Sequence, residues 1–416
     1  MPVGIYISVP FCRTKCSFCN FASNVFSKSA YQNYVLRLLQ DMGAARQLSS
    51  SLECVLEDQA DSIYVGGGTP SILEPFQLRK IFAAVKENFS LARNCEITVE
   101  CAPGTISPAL IETLLQCDVN RVSLGVQSFV DQEAKSVGRL HTRAIVLDDI
   151  RRLRAAGLFN ISIDLIAGLP YQTPESWAFS VAETVATEVP HVSIYMLEVD
   201  EDSRLGGELL AGGARYHAHF VPDEDASAAF YEQGCEMLES AGVAQYEISN
   251  FARADPKGKN FQSIHNLKYW TRQPYVGFGV DAHSMLLAEK GRAAISGENE
   301  APGAVRFATP DALDAYMNHA ANTVTPVTAE AAMEEEFFLG LRLNRGIDVG
   351  RLRSRSKAAE VHIDSAIREN VEDGLLERHK NRLRLTARGR LLSNEVFARF
   401  LAEEKVKVGT DYVNPR

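Results

Sequence analysis

Three cysteines near the start of the chain are the residues best suited to inorganic chemistry. They are spaced Cys12-x-x-x-Cys16-x-x-Cys19 and directly follow a short apolar run at residues 3–8. Thiolates at this spacing can bind three irons of a [4Fe–4S] cluster and leave the fourth iron open to another ligand. Two alternatives stay open, namely a zinc ion completed by a distant His or Cys and cysteines that fill a core. The spacing favours the cluster.

The composition indicates what type of protein this chain is. The chain has 416 residues, of which 46% are hydrophobic and 23% charged, so it has room for two or three globular domains. Its net charge of −10 argues against broad electrostatic binding to nucleic acid. No apolar run approaches the length of a membrane span and no signal-peptide pattern is present, so we expect a cytoplasmic protein without an integral membrane span. The remaining cysteines lack disulfide spacing and are expected to be reduced and buried: Cys54, Cys95, Cys101, Cys117 and Cys235.

Strand-like and helix-like segments alternate through residues 1–200. Short β-branched runs predict strands at residues 3–8, 62–65, 96–100, 121–126, 161–166 and 192–196. Apolar residues at helical spacing predict helices at residues 31–39, 77–89, 108–116, 144–156 and 174–187. This alternation indicates parallel strands joined by right-handed crossovers, in either an open partial barrel or a doubly wound sheet. In both folds, ligands gather at the carboxyl ends of the strands, where the cysteines and Gly66-Gly-Gly-Thr-Pro70 fall.

The second half of the chain is less regular. Residues 201–296 are expected to form a mixed α/β extension, and a polar, Pro/Gly-punctuated stretch places a linker at 297–328. Residues 329–416 are expected to form a small domain with helices near 329–343 and 357–369, a hairpin at 375–386 and a last helix to about 401, an arrangement like a winged helix. The hairpin is basic, but a solvated or protein-contacting surface is favoured over a nucleic-acid wing.

These motifs together resemble the radical S-adenosylmethionine (SAM) superfamily, and within it the branch of oxygen-independent coproporphyrinogen III oxidases and heme chaperones. Besides the cysteines, the resemblance rests on Gly66-Gly-Gly-Thr-Pro-Ser71, Gly125-Val-Gln-Ser-Phe129, Gly138-Arg-Leu-His141, Asp164-Leu-Ile-Ala-Gly-Leu-Pro170, Tyr246-Glu-Ile-Ser-Asn-Phe251 and His265-Asn-Leu-Lys-Tyr-Trp270. It implies an α/β fold, with a partial (β/α)6 radical-SAM barrel in place of a doubly wound sheet.

The resemblance also implies the cofactors and the residues that hold them. Cys12, Cys16 and Cys19 are expected to bind the [4Fe–4S] cluster, its open iron to bind SAM, and an electron donor to reduce it. The residues that match the family's SAM site are Tyr6, Phe18, Gly67, Gly68, Thr69, Glu100, Gln127, Arg139 and Asp164. Glycines suit this role because they let the backbone approach the ligand.

Two positions separate the functions found in this branch. The oxidases commonly carry a fourth cysteine where this chain has Phe21, whereas the motif from His265 to Trp270 is typical of the heme chaperones. An imidazole is a common heme ligand and Trp270 offers a flat apolar surface, so His265 and Trp270 are predicted to bind heme. If the segment is helical, His265 and Tyr269 share a face.

The favoured function is therefore a heme chaperone that passes heme to an acceptor protein, whose identity the sequence does not give. An oxidase that decarboxylates coproporphyrinogen III is the alternative, which leaves open whether the chain is an enzyme. A purely structural role for His265 and Trp270 is also open.

Overall fold

The computed structural model describes residues 1–254, 258, 260–289, 303–352 and 357–401. The strands are β1 (Val3–Val9), β2 (Cys54–Val55), β3 (Gln59–Gly67), β4 (Ser90–Cys101), β5 (Arg121–Gln127), β6 (Ile161–Ala167), β7 (His191–Met196), β8 (Val243–Gln245), β9 (Asn250–Arg253), β10 (Tyr275–Phe278), β11 (His283–Ala288), β12 (Ala304–Ala308), β13 (Thr323–Val327), β14 (Ile347–Asp348), β15 (Leu376–His379) and β16 (Arg382–Leu385).

The helices connect and cover these strands. They are α1 (Lys28–Ser51), α2 (Pro75–Asn88), α3 (Pro108–Gln116), α4 (Asp131–Ser136), α5 (Arg143–Ala155), α6 (Pro174–Ala186), α7 (Arg204–Ala211), α8 (Glu224–Ser240), α9 (Ile264–Trp270), α10 (Leu313–Met317), α11 (Ala329–Leu341), α12 (Val349–Leu352), α13 (Lys357–Glu372), α14 (Ala387–Leu391) and α15 (Ser393–Ala398). Short 3-10 helices occur at Pro70–Ile72 and Ala218–Phe220. None of the described helices combines the length and apolar character that crossing a membrane requires.

One large mixed sheet forms the centre of the molecule. Its order is β13-β12-β11-β10-β1-β3-β4-β5-β6-β7-β9-β8, and β2 pairs with β11. The run from β10 through β1, β3, β4, β5 and β6 to β7 is parallel, while the strands beyond it pair antiparallel. The two end strands, β13 and β8, are not paired with each other in the described sheet, which is therefore open. The predicted α/β class with parallel strands is confirmed.

The six predicted strands correspond to β1, β3, β4, β5, β6 and β7, and the five predicted helices to α1, α2, α3, α5 and α6. The predicted strands match the observed ones because strands that are buried on both faces have continuous runs of apolar, β-branched residues in their sequence. The residues of β1, for example, are buried except Tyr6.

The structure corrects the predicted organisation of residues 201–328. β10 is a seventh parallel strand beside β1, and the described part of the predicted linker forms β12, α10 and β13, which continue the same sheet. Part of the linker, residues 297–302, lies outside the described residues. Sequence reasoning missed these strands because they are short and atypical. β10 contains Gly277, and β13 is an edge strand that contains Pro326, a residue tolerated mainly at sheet edges.

A second, smaller core lies in the C-terminal part. β14, β16 and β15 form a three-stranded antiparallel sheet, and β15 and β16 are the predicted hairpin. Phe337 of α11 stacks on Phe400, with 5.3 Å between ring centroids. Helix α11 also belongs to a separate cluster with Tyr269 and Trp270 of α9, so it joins the C-terminal part to the main sheet.

Candidate functional site

The carboxyl ends of the parallel strands surround one cavity of about 370 Å³. Every residue that the sequence predicted for a cofactor or metal lines it, namely Tyr6, Cys12, Cys16, Phe18, Cys19, Gly67, Gly68, Thr69, Glu100, Gln127, Arg139, Asp164, His265 and Trp270. Ligand sites of open α/β sheets lie at this edge because successive loops converge there. The cavity is therefore the candidate site.

The cysteine loop between β1 and α1 is held by its own backbone and by one buried ring. Phe11 is fully buried and stacks on Tyr31, with 4.0 Å between ring centroids. The backbone N–H of Cys12 donates to the carbonyl of Asn24 at 3.0 Å. Burial raises the pKa of the Cys12 and Cys19 thiols. The loop thus presents three cysteines to the cavity from a fixed backbone.

The arrangement of the cysteines bears on which metal group fits. In the described part of the chain, no three His, Cys, Asp or Glu side chains are grouped to hold a single metal ion. A cluster has no such requirement, because each thiolate binds a different iron.

The glycine loop after β3 packs directly against the cysteine loop. The N–H of Gly68 donates to the carbonyl of Val9 at 2.8 Å. A Cβ atom on Gly68 would lie 2.9 Å from Cys12 Sγ and 2.7 Å from the carbonyl oxygen of Phe11. Gly67 has φ +102°, a conformation that other residues rarely adopt. These glycines are thus needed for the contact between the two loops, in addition to any ligand.

Two carboxylates on the parallel strands β4 and β6, which flank β5 in the sheet, face the cavity. Tyr64 Oη donates to Glu100 at 2.8 Å, and Ser123 Oγ donates to Asp164 at 3.0 Å. Burial, aided by the charge of Asp164, raises the pKa of Glu100 to about 7. Burial also raises the pKa of Asp164. A cationic ligand would compensate for the burial of both carboxylates, which suits the ammonium and sulfonium groups of SAM.

Gln127 and Arg139 carry polar atoms that the protein itself does not satisfy. Gln127 has φ +68° where the pairing of β5 with β6 shifts register, and its Oε1 is buried without a partner. Arg139 Nη1 lies 3.6 Å from Cys16 Sγ and Nη2 donates to the carbonyl of Gly125, but its Nε is also without a partner. Buried polar atoms are normally hydrogen-bonded, so these two atoms point to a ligand beside the cysteines. The residues present therefore fit a cluster with SAM.

Helix α9 carries the predicted heme residues and brings them to the same cavity. His265 Nδ1 is hydrogen-bonded to Ser62 Oγ at 3.0 Å, and Nε2 to Tyr269 Oη at 2.9 Å. His265 and Tyr269 do share a helix face, as predicted. Burial lowers the pKa of His265 to about 3, so the ring is neutral. Because both nitrogens are engaged, ligation of a heme iron by His265 requires one of these bonds to break.

The comparisons with known proteins agree with this geometry. Residues 6–181 match the family model of the radical SAM superfamily, and residues 327–392 match the HemN C-terminal domain. The chain is 32% identical to the heme chaperone HemW of Lactococcus lactis, an alignment that covers 97% of this chain and 98% of that protein. The chain belongs to the HemW family. HemW of Bacillus subtilis is 30% identical over 96% of this chain and 99% of that protein.

A solved structure shows the same fold. Coproporphyrinogen III oxidase (HemN) from Escherichia coli matches with a TM-score of 0.78 and 21% identity, covering 96% of this chain and 90% of that chain. The likeness establishes the radical SAM architecture for this HemW-family chain. Membership of the radical SAM superfamily in turn implies a [4Fe–4S] cluster and SAM as cofactors.

In this member of the HemW family, helix α9 is anchored by buried charges that the sequence did not reveal. Glu96 accepts hydrogen bonds from the backbone N–H groups of Ile264 at 2.9 Å and His265 at 3.3 Å. Arg121 pairs with Glu96 at 3.3 Å, with side chains 2% and 7% exposed. Lys268 pairs with Asp61 at 2.7 Å. Glu96 and Arg121 were predicted only as strand residues, because nothing local shows that a later helix packs on them.

Other cavity residues were also missed. Among them are Tyr64, Tyr195, Glu247, Asn250 and Arg342. The sequence could have indicated Glu247 and Asn250, since both belong to the Tyr246–Phe251 motif that supports the family resemblance. Tyr64 sits within a predicted strand and Arg342 at the end of a predicted helix, where neither has a local motif.

Proposed function

We propose that this protein is a HemW-like heme chaperone. It binds a [4Fe–4S] cluster and SAM, and it holds heme for transfer to an acceptor protein. An electron donor serves the cluster, and the protein acts in the cytoplasm. The observation that carries the proposal is the convergence of the three cysteines, the glycine loop and helix α9 on one cavity. Similarity to HemW proteins over nearly the whole chain supports it.

Each part of the cavity has a separate role in this proposal. Cys12, Cys16 and Cys19 hold the cluster, which supplies one-electron chemistry toward SAM when bound. Glu100 and Asp164 attract the cationic groups of SAM. The burial of both carboxylates strengthens that attraction because water screens it less. Arg139 lies beside Cys16 and supplies a donor for a ligand on the cluster.

Heme is the transferred ligand, and helix α9 carries the residues that bind it. Trp270 supplies flat apolar surface, and His265 supplies an imidazole once its bond to Ser62 or Tyr269 is exchanged for the heme iron. Exchange is feasible because the ring is neutral and a neutral nitrogen is the form that ligates metal. Before heme binds, the two hydrogen bonds of His265 hold the inner face of α9 in place.

A heme titration and a coproporphyrinogen III assay on one anaerobic sample test the proposal. We expect saturable heme binding and no decarboxylation. His265→Ala should shift the Soret band and weaken heme retention. His191 is a matched control: Ser162 and Tyr246 bond its two nitrogens at 2.7 and 3.0 Å, and it does not belong to the described lining of the cavity.

Two results would reject this assignment. Turnover of coproporphyrinogen III with heme binding that is indifferent to His265→Ala would favour the oxidase. Equal loss of heme binding in His265→Ala and His191→Ala would show that His265 acts only through the fold.

A further inference from the structure

The cysteines of the candidate site differ in the groups that surround their sulfur atoms. Cys12 is flanked by two hydroxyl side chains, Thr69 of the glycine loop and Ser23 of the cysteine loop. Thr69 Oγ1 donates to Cys12 Sγ at 3.7 Å. Cys16 Sγ instead has Nη1 of the Arg139 guanidinium at 3.6 Å. Cys12 thus lies beside donors of a different kind from those beside Cys16.

Ser23 was not among the predicted site residues, yet its side chain belongs to the cavity. It lines the cavity and is only 4% exposed. Its Oγ atom is buried and meets no acceptor at hydrogen-bond geometry in the described part of the chain. The Cys12 N–H donates to the carbonyl of Asn24 at 3.0 Å, and the Asn24 N–H to the carbonyl of Pro10 at 2.9 Å, which holds this segment alongside the first cysteine. Because buried hydroxyls are normally hydrogen-bonded, this one points to a ligand.

The two hydroxyls also act on the charge state of Cys12. Burial raises the pKa of the Cys12 thiol, and the hydroxyls of Thr69 and Ser23 lower it, because each can donate to a thiolate. The thiolate is the form that ligates iron. Both donors therefore face a sulfur atom that carries negative charge when it holds a cluster.

We propose that Ser23 and Thr69 donate hydrogen bonds to the Cys12 sulfur of the bound cluster and raise the reduction potential of that cluster. Hydrogen bonds to the sulfurs are among the features that set the potential of an iron–sulfur cluster. The sign follows because the added electron increases the negative charge on sulfur, and a donor stabilises the more negative state more. The inference rests on the proposed binding of a [4Fe–4S] cluster.

The proposed tuning has a consequence for the cofactors. A higher potential makes the cluster easier for its electron donor to reduce, and it makes the reduced cluster a weaker reductant of SAM. Ser23 and Thr69 would thus favour a cluster that is readily reduced over one that readily cleaves SAM.

The backbone holds the two loops together without these hydroxyls. The N–H of Gly68 donates to the carbonyl of Val9 at 2.8 Å, and the buried ring of Phe11 stacks on Tyr31. Removal of either hydroxyl is therefore expected to leave the loops in place. Its effect on the cluster can then be measured separately from folding.

The test is a redox titration of the reconstituted full-length protein without SAM, followed by electron paramagnetic resonance of the reduced cluster. Ser23→Ala and Thr69→Val each remove one hydroxyl with little change in volume. We expect each to lower the midpoint potential, and the double variant to shift the ratio of reduced to oxidised cluster about tenfold, or about 59 mV for one electron. Thr69→Ser keeps the hydroxyl and should keep most of the wild-type potential. A midpoint does not depend on how much cluster is assembled, so partial loss of iron leaves the measurement valid.

Ser17→Ala is the matched control. Ser17 belongs to the same loop, is also 4% exposed and also has an unbonded Oγ, but it is not part of the described lining of the cavity. Its variant should keep the wild-type potential. A shift equal to that of Ser23→Ala would show that the potential responds to packing of the loop, which would overturn the inference.

The remaining outcomes separate this inference from the proposed function. If wild type assembles no reducible cluster, the proposed function fails and the inference fails with it. If wild type holds the cluster and both single variants and the double variant keep its potential, only the inference is wrong. A shift in just one single variant would overturn the inference for the other residue.

Discussion

The two ends of the cavity differ in how their polar groups are satisfied. At the cysteine end, Gln127 Oε1 and Arg139 Nε are buried without partners, and Glu100 and Asp164 face the cavity as buried acids. At the α9 end, both nitrogens of His265 are bonded within the protein. Trp270 Nε1 and Glu247 Oε2 are buried there without a hydrogen-bond partner.

This contrast indicates two ways of building a site. The cysteine end is incomplete without a ligand, so its residues are expected to affect cofactor binding more than folding. Helix α9 is fixed by a buried ion pair and by its own hydrogen bonds, so its inner residues are expected to affect folding first. At α9, the residues expected to bind a ligand are those that face the cavity with unbonded polar atoms.

The largest expected effect is at the cysteines. Cys12→Ala, Cys16→Ala or Cys19→Ala should each abolish a cluster of about four irons per chain, because three thiolates are the minimum that holds it. Far-UV circular dichroism should be unchanged. Iron analysis after anaerobic reconstitution measures the effect, with Cys117→Ala as the control. Full iron content in a triple alanine variant would contradict the assignment.

The glycine loop should be nearly as sensitive. Gly68→Val places atoms where Cys12 Sγ and the Phe11 carbonyl lie, so we expect loss of most bound iron and of SAM affinity. Gly43→Ala is the matched control, because nothing lies within 4 Å of its added Cβ. The control should stabilise α1 by about 0.5–1 kcal/mol. Normal iron content in Gly68→Val would show that the two loops separate easily.

At the α9 end, Glu96→Ala should lower the free energy of unfolding by about 3–5 kcal/mol, the usual effect of leaving one partner of a buried pair uncompensated. Chemical denaturation measures it. Glu377→Ala removes an exposed partner of Arg384 and should cost under about 1 kcal/mol. Equal effects of the two substitutions would mean that α9 is not anchored through Glu96.

The smallest effect concerns pH and Glu100. Its pKa of about 7 lies above the ordinary 4.5, so it is partly protonated near neutrality and attracts a cation less as pH falls. SAM affinity should therefore rise by about tenfold from pH 6 to pH 8, with release of a proton on binding. Isothermal calorimetry in buffers of different ionisation enthalpy detects that proton. Glu100→Gln should bind SAM more weakly and lose this part of the pH dependence.

The raised pKa of Glu100 also makes folding stability depend on pH, in the opposite direction from SAM affinity: stability falls as pH rises. Without SAM, the folded protein holds the Glu100 proton more tightly than the unfolded chain does. Stability from this group is therefore present below about pH 4.5 and is lost as pH rises through about 7. Glu100→Gln should remove that decline in denaturation curves recorded across this window.

Sequence reasoning succeeded where a signal is local. Continuous apolar runs predict β1 and β3 to β7, and the motifs of the cysteine end directly follow or end one of these strands, except Gly138–His141, which follows α4. Prediction from the sequence failed for β10 to β13, because these strands are short and contain residues such as Gly277 and Pro326. Such strands form because an existing sheet edge supplies their hydrogen bonds, and no local pattern records that edge.

The sequence by itself predicted the residues of the cysteine end of the cavity, because parallel strands bring the residues at their carboxyl ends to one edge. It also determined that His265 and Tyr269 meet, since residues four apart in a helix face the same way. Only the tertiary structure decided that Ser62 occupies the other nitrogen of His265, that Glu96 caps α9, and that Arg342 reaches the cavity from the C-terminal part. These contacts join residues far apart along the chain, and side-chain type and spacing do not encode which distant groups will face each other.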